Sequence, residues 1–99
     1  MNTTHTIDVT EEDINDGVRQ NCWTCPIALA AVRSLDDHTA YAALFLFVRR
    51  PGGTLSAPLP NEAVRFMSDF DAGLPVKPFS FTVTFNRFNT PYHVQEIIP

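Results

Sequence analysis

The chain has 99 residues, of which 44% are apolar and 18% are charged, a composition that suits one domain over residues 1–99 and excludes intrinsic disorder. Its longest apolar run, 40–48, is far shorter than the roughly 20 residues of a membrane-spanning helix, and the first residues lack the basic and apolar regions of a signal peptide. Seven acidic residues but only two arginines precede residue 49, which argues against nucleic acid as a partner because phosphate backbones are bound by clustered cations.

The first predicted elements are a strand and a short helix. Residues 4–9 alternate polar and apolar side chains, so we expect a strand with Ile7 and Val9 facing the core. Thr10 is followed three positions later by an acid, a variant of the capping box that begins a helix. Gly17 is predicted to end this helix in the left-handed conformation.

A second helix is predicted over the apolar run 27–32. Thr24 or Cys25 can cap it, and Pro26 suits its first turn because the N–H that proline lacks has no partner there. The run is apolar on every face, which predicts a largely buried helix that ends in the polar loop 34–39.

The apolar run 40–48 predicts one central strand covered on both faces. The stretch 49–53 predicts a turn, and 54–57 predicts the returning strand. Asn61 is predicted to cap a third helix that ends at Gly73.

Residues 78–86 alternate phenylalanine and valine with serine and threonine, which predicts a strand with one buried and one solvent-facing side. The tail 87–99 is expected to add an edge strand or to bind a partner. The resulting fold prediction is an α+β protein of two layers, with three helices on one face of a mostly antiparallel sheet of about four strands.

Two cysteines, Cys22 and Cys25, form a Cys-x-x-Cys pair before the second helix. A thiol at a helix N-terminus has a lowered pKa, so the pair predicts thiol–disulfide chemistry as one alternative. It supplies only half of a structural zinc site, and the isolated histidines offer no paired ligands, so metal binding is a further alternative and ordinary semi-buried cysteines are the simplest one. We expect no cofactor, and no motif indicates an enzyme.

Arg19 lies shortly before the second helix, where free N–H groups can bind an anion. A pocket of Arg19, Thr24 and Cys25, with Trp23 as an exposed anchor, would hold a phosphate or carboxylate ligand. The alternative is a local ion pair of Arg19 with Asp13 or Asp16.

A second set of residues predicts a surface for a protein partner or another copy of the chain. Its members are cationic or aromatic and lie in the second half of the sequence: Arg49, Arg50, Phe85, Arg87, Phe88 and Tyr92. Most other phenylalanines, among them Phe45 and Phe47, are predicted to lie in the core.

The segments TEEDI (10–14), GVR (17–19), CPIALA (25–30) and PFSF (78–81) together resemble a group of small bacteriophage and mobile-element proteins. The resemblance spans residues 5–85 and implies a phage accessory protein in the host bacterial cytoplasm, with no catalytic residues to carry over. The predicted function is therefore non-enzymatic inhibition of a host defence or regulatory component. It would act as a homo-oligomer that sequesters a small anionic, nucleotide-type ligand or blocks a host protein.

Overall fold

The computed structural model describes residues 2–86 of the chain. Its elements are β1 (Asn2–Val9), α1 (Glu11–Asp16), α2 (Pro26–Leu35), β2 (Tyr41–Ala42), β3 (Phe45–Arg50), β4 (Gly53–Pro58), α3 (Asn61–Asp71) and β5 (Phe79–Asn86). The predicted α+β class and antiparallel pairing are confirmed. The strands form two ladders, β1–β5 and β2–β3–β4, where one sheet was expected. The predicted tail element, 87–99, lies outside the described residues.

The β1–β5 ladder has the predicted two-sided character. Ile7 pairs with Phe81, and Val9 with Phe79, on the side that faces the core. The opposite side is exposed and polar, and the hydroxyls of Thr4 and Thr84 lie 3.0 Å apart there.

The capping box at the start of α1 is present. The Thr10 hydroxyl accepts a hydrogen bond from the Asp13 N–H at 3.2 Å, and the Asp13 carboxylate accepts one from the Thr10 N–H at 2.9 Å. Asp13 is nevertheless buried, because the Arg33 guanidinium of α2 covers it with two further hydrogen bonds, of 2.7 and 2.9 Å.

Gly17 ends α1 as predicted, but its backbone is extended (φ −69°, ψ 151°) and not left-handed. The reason for glycine is space. A Cβ at this position would lie 2.6 Å from the Pro26 ring and 2.9 Å from the Asp13 carbonyl oxygen. The end of α1 therefore packs directly on the first residue of α2.

The predicted central strand over 40–48 is wrong. The chain reverses at Ala43 and Leu44, so that Tyr41 pairs with Phe47 in an antiparallel hairpin. No glycine, proline or asparagine marks this turn, and the apolar run hid it. The second reversal is tighter than predicted, because β3 continues through Arg50 and leaves only the turn residues 51–52 before β4.

Helix α3 begins one residue earlier than predicted, at the expected cap residue itself. Pro60 occupies the cap position without a side-chain hydrogen bond, and Asn61 is the first helical residue. Gly73 follows the helix in the left-handed region (φ 82°), as its predicted role requires. Phe66 anchors α3 on β5, with its ring centroid 4.8 Å from that of Phe79.

One hydrophobic core joins both ladders and the helices. Helix α2 lies at its centre, with Ile27 and three of its alanines (Ala28, Ala30 and Ala31) fully buried. These small side chains let α2 lie close to β1, which is the arrangement that its all-round apolar pattern predicts.

Candidate functional site

The loop 17–25 connects α1 to α2, and its backbone is held on both sides. The Gln20 N–H donates to the Asp71 carboxylate at the end of α3 (2.8 Å). The Cys22 carbonyl accepts from the N–H of Ala42 in β2 (2.9 Å). Because the loop is tied to α3 and to β2, it separates two surfaces: a cleft beside α3 and a row of aromatic rings on the β2–β3 hairpin.

The N-terminus of α2 is closed by the protein itself. Cys25, one of the two predicted caps, occupies the cap position, and its sulfur accepts the N–H of Ala28 at 3.4 Å. Pro26, Ile27 and Ala28 are buried around it. This geometry does not support the predicted anion pocket, since the N–H groups that would bind the anion face a sulfur atom inside the core.

Arg19 is exposed and does not reach this helix end. A guanidinium nitrogen lies 3.3 Å from the point that a Cβ on Gly73 would occupy, so the side chain covers the glycine after α3. The alternative ion pair with Asp13 or Asp16 is also wrong within residues 2–86. Asp13 pairs instead with Arg33 of α2.

The other predicted pocket residues, Thr24 and Trp23, differ from each other in burial. The Thr24 hydroxyl is buried and has no hydrogen-bond partner in the part of the chain that the structure describes. The Trp23 side chain is 44% exposed, as its anchor role required, but it belongs to the aromatic row described below.

The two cysteines have different surroundings. Both thiols are free and line the same cleft, Cys22 exposed and Cys25 buried. Burial raises the pKa of the Cys25 thiol above its ordinary value, and the N–H groups of Ala28 and Ile27 oppose this only in part. Cys25 is therefore a protonated, structural thiol at neutral pH, whereas Cys22 is open to reagents.

The cleft between loop 17–25 and α3 encloses about 270 Å³. Its apolar wall includes Cys25, Met67 and Phe70, and Ala43 closes it on the side of the hairpin. Asp71 contributes a half-buried carboxylate to this lining.

The second surface, here called the aromatic face, consists of Trp23, Tyr41, Phe45 and Phe47. The Trp23 and Tyr41 centroids lie 4.4 Å apart, those of Tyr41 and Phe47 4.9 Å, and those of Phe47 and Phe45 6.1 Å. Phe45 is 43% exposed, and Leu44 at the hairpin turn is 68% exposed. The prediction that Phe45 is a core residue is therefore wrong.

The predicted interface residues are placed unevenly around this face. Arg49 is exposed, two positions after Phe47 and thus on the same side of β3. Arg50 is the last residue of β3. Phe85 does not fit its predicted place on an exposed interface, because its side chain is 2% exposed and packs in the core. Arg87, Phe88 and Tyr92 lie outside the described residues.

Sequence reasoning missed Tyr41, Phe47 and Asp71. The signal for the aromatic face was present, since Phe45, Phe47 and Arg49 alternate with the buried Leu46 and Val48. It was hidden because both sides of this strand are apolar, so the exposed set looks like core.

Comparisons with protein-family models, with curated proteins and with solved structures give no match. Across residues 2–86, no helix has the length and apolar character to cross a bilayer. No three His, Cys, Asp or Glu side chains come together as a metal site in that same part of the chain.

Proposed function

We propose that this chain is a non-enzymatic binding protein that docks a protein partner on the aromatic face. The observation that carries the proposal is the exposure of a row of neighbouring aromatic rings on the β2–β3 hairpin and the adjacent loop, with Trp23 and Phe45 both more than two-fifths exposed. Water-exposed aromatic side chains of this kind are the residues that dominate binding energies at protein interfaces.

The chemistry of the face defines the partner. Its centre is apolar, and Arg49 continues it along β3 with an exposed cation. A complementary partner presents an apolar patch with a carboxylate beside it, because Arg forms directional paired hydrogen bonds with carboxylates. The resemblance to phage proteins makes a host defence or regulatory protein the proposed target, and its inhibition the proposed outcome.

The test compares two exposed apolar residues, one on the aromatic face and one outside it. Host proteins captured by the immobilised wild-type chain are purified, and the Kd of each is measured again with Phe45→Ser and Leu74→Ser. Leu74 is the matched control, since it is 54% exposed and lies after α3. Loss of about tenfold or more in affinity with Phe45→Ser alone supports the proposal, since a lost hot spot costs more than 1.4 kcal/mol.

The proposal fails if every captured protein binds Phe45→Ser and Trp23→Ser as tightly as it binds the wild type. Self-association is measured in parallel by sedimentation. A homodimer that Phe45→Ser abolishes would place a second copy on this face in place of a host protein.

Thiol–disulfide chemistry is the second candidate function. The observation in its favour is that two free thiols, of Cys22 and Cys25, line one cleft. The buried sulfur of Cys25 already caps α2, so forming a disulfide would remove the acceptor of the Ala28 N–H. The thiol measurements described in the Discussion decide this alternative.

A further inference from the structure

The cleft beside α3 combines an apolar wall with one carboxylate. Met67 and Phe70 lie on one helical face, three residues apart, and both line the cleft together with the buried Cys25. Asp71 is the next residue after Phe70 and brings its carboxylate to the same space. An apolar cavity with a single charged group is the usual composition of a small-molecule site.

The Asp71 carboxylate has unused capacity to accept hydrogen bonds. One of its oxygens accepts the Gln20 N–H at 2.8 Å, whereas a carboxylate can accept about four hydrogen bonds in all. Within residues 2–86 no cation pairs with it, and the Arg19 guanidinium packs over Gly73 without forming an ion pair to Asp71.

The backbone beside this carboxylate is strained. Gln20 has a left-handed φ of 57°, a conformation that costs non-glycine residues free energy. The hydrogen bond to Asp71 holds it there, and Gln20 itself lines the cleft. The rim of the cleft is thus fixed in position before any ligand arrives.

We propose that this cleft binds a small organic cation, a primary amine with an apolar body. The ammonium group would donate hydrogen bonds to the free oxygen of Asp71, and the apolar body would cover Met67 and Phe70. The electron-rich ring of Phe70 adds a further attraction for the cation. The chain's net charge of −4 favours the approach of cations at long range.

The size of the cleft limits the ligand. Its volume of about 270 Å³ lies just below the roughly 300–1,000 Å³ of sites for drug-sized molecules. A single-ring amine such as benzylamine is therefore a suitable probe. The site shares no residue with the aromatic face, so its failure leaves the proposed function untouched, and the reverse is also true.

The test uses the full chain with methyl-labelled methionine, titrated with three probes of one shape: benzylamine, benzyl alcohol and benzoate. We expect benzylamine to shift the Met67 methyl signal, identified with Met67→Leu. Benzyl alcohol is expected to bind about tenfold more weakly, because it lacks the charged hydrogen bond to Asp71. Benzoate is expected not to bind.

Two variants test the charge of Asp71 and the free space of the cleft independently. Asp71→Asn keeps an acceptor for the Gln20 N–H but removes the charge, and should weaken benzylamine binding about tenfold. Asp69→Asn is its control, since Asp69 lies two residues away on α3 and lines a different groove. Ala43→Leu keeps Asp71 and fills the cleft, and it should abolish binding even if Asp71→Asn does not fold.

Several results would overturn the proposal. They are an unchanged Met67 signal with benzylamine, equal binding of benzylamine and benzyl alcohol, and preference for benzoate. Equal affinity of the wild type and a folded Asp71→Asn would do the same, as would unchanged binding to Ala43→Leu.

Discussion

Asp13 and Arg33 are joined by two hydrogen bonds, of 2.7 and 2.9 Å, although 20 residues separate them in the sequence. The same guanidinium donates to the Asp8 carbonyl at 2.7 Å. One arginine of α2 therefore fastens both the helix α1 and the end of β1. Asp13 also forms the capping box of α1 with Thr10. Its carboxylate therefore contributes both to the start of this helix and to the packing of α1, α2 and β1.

This carboxylate makes the stability of the protein depend on pH. Burial raises the pKa of Asp13, but hydrogen bonds from Arg33 and Thr10 outweigh it, so the pKa in the folded protein is below the ordinary 3.8. The stabilisation is fully present above the unfolded-state pKa and is lost as the pH falls through the lower folded-state pKa. We expect urea unfolding between pH 7 and pH 2 to show a decline below about pH 4 that Asp13→Asn reduces.

At pH 7, Asp13→Asn should lower the free energy of unfolding by about 1–3 kcal/mol, because charged hydrogen bonds to Arg33 are lost. Asp16→Asn is the control, since Asp16 is exposed at the end of the same helix, and its effect should stay within about 0.5 kcal/mol. Equal acid sensitivity of the wild type and both variants would contradict this role for Asp13.

The close contact at Gly17 predicts a strong effect of one methyl group. Gly17→Ala would bring its Cβ to 2.6 Å from the Pro26 ring, and we expect a loss of about 1–3 kcal/mol, the usual cost of overpacking. Gly52→Ala is the matched control, because nothing lies within 4 Å of its Cβ position. Thermal or urea unfolding of the two variants should differ clearly, and similar stabilities would argue against a tight α1–α2 junction.

Thr24→Val should stabilise the protein. The Thr24 hydroxyl is buried without a partner among the described residues, and valine fills the same space without a polar atom to desolvate. The expected gain is about 1 kcal/mol in urea unfolding. Thr39→Val should do the opposite, since the Thr39 hydroxyl accepts the Arg49 N–H at 3.1 Å. A loss of stability in Thr24→Val would mean that the hydroxyl has a partner after all.

The two thiols should react at different rates. Ellman's reagent is expected to modify one thiol of the native protein quickly, and Cys22→Ser should remove that phase because Cys22 is the exposed cysteine. Cys25 should react only on unfolding, since its thiol is buried and its pKa is raised. A thiol–disulfide function instead requires that glutathione disulfide consumes both thiols of the native protein, and that result would contradict the inert role of Cys25.

The elements that were predicted well carry their signal in a few neighbouring residues. The alternation over 79–85 and the Thr10–Asp13 capping box depend on spacings of two and three residues, which the sequence shows directly. The hairpin turn at 43–44 has no such signal, because its residues are as apolar as the strands on either side. Periodicity therefore predicted an extended segment there but not the reversal within it.

The contacts of the site lay beyond this kind of reasoning. A local ion pair of Arg19 with Asp13 or Asp16 was one of two alternatives, but the partner of Asp13 is Arg33, which the packing of α1 on α2 brings near. The bond between Gln20 and Asp71 likewise spans 51 residues. Such pairs depend on how the elements pack, which residue spacing along one helix or strand does not encode.

The first and last described strands are each other's partners, and the hydroxyls of Thr4 and Thr84 meet across 80 residues. During synthesis, β1 leaves the ribosome before β5 is made, so the edge of β1 that pairs with β5 stays unpaired until the end of translation. Closing so long a loop is slow relative to local helix formation. Co-translational folding of this chain should therefore pass through a period in which β1 is open to pairing with other nascent chains or to capture by a chaperone.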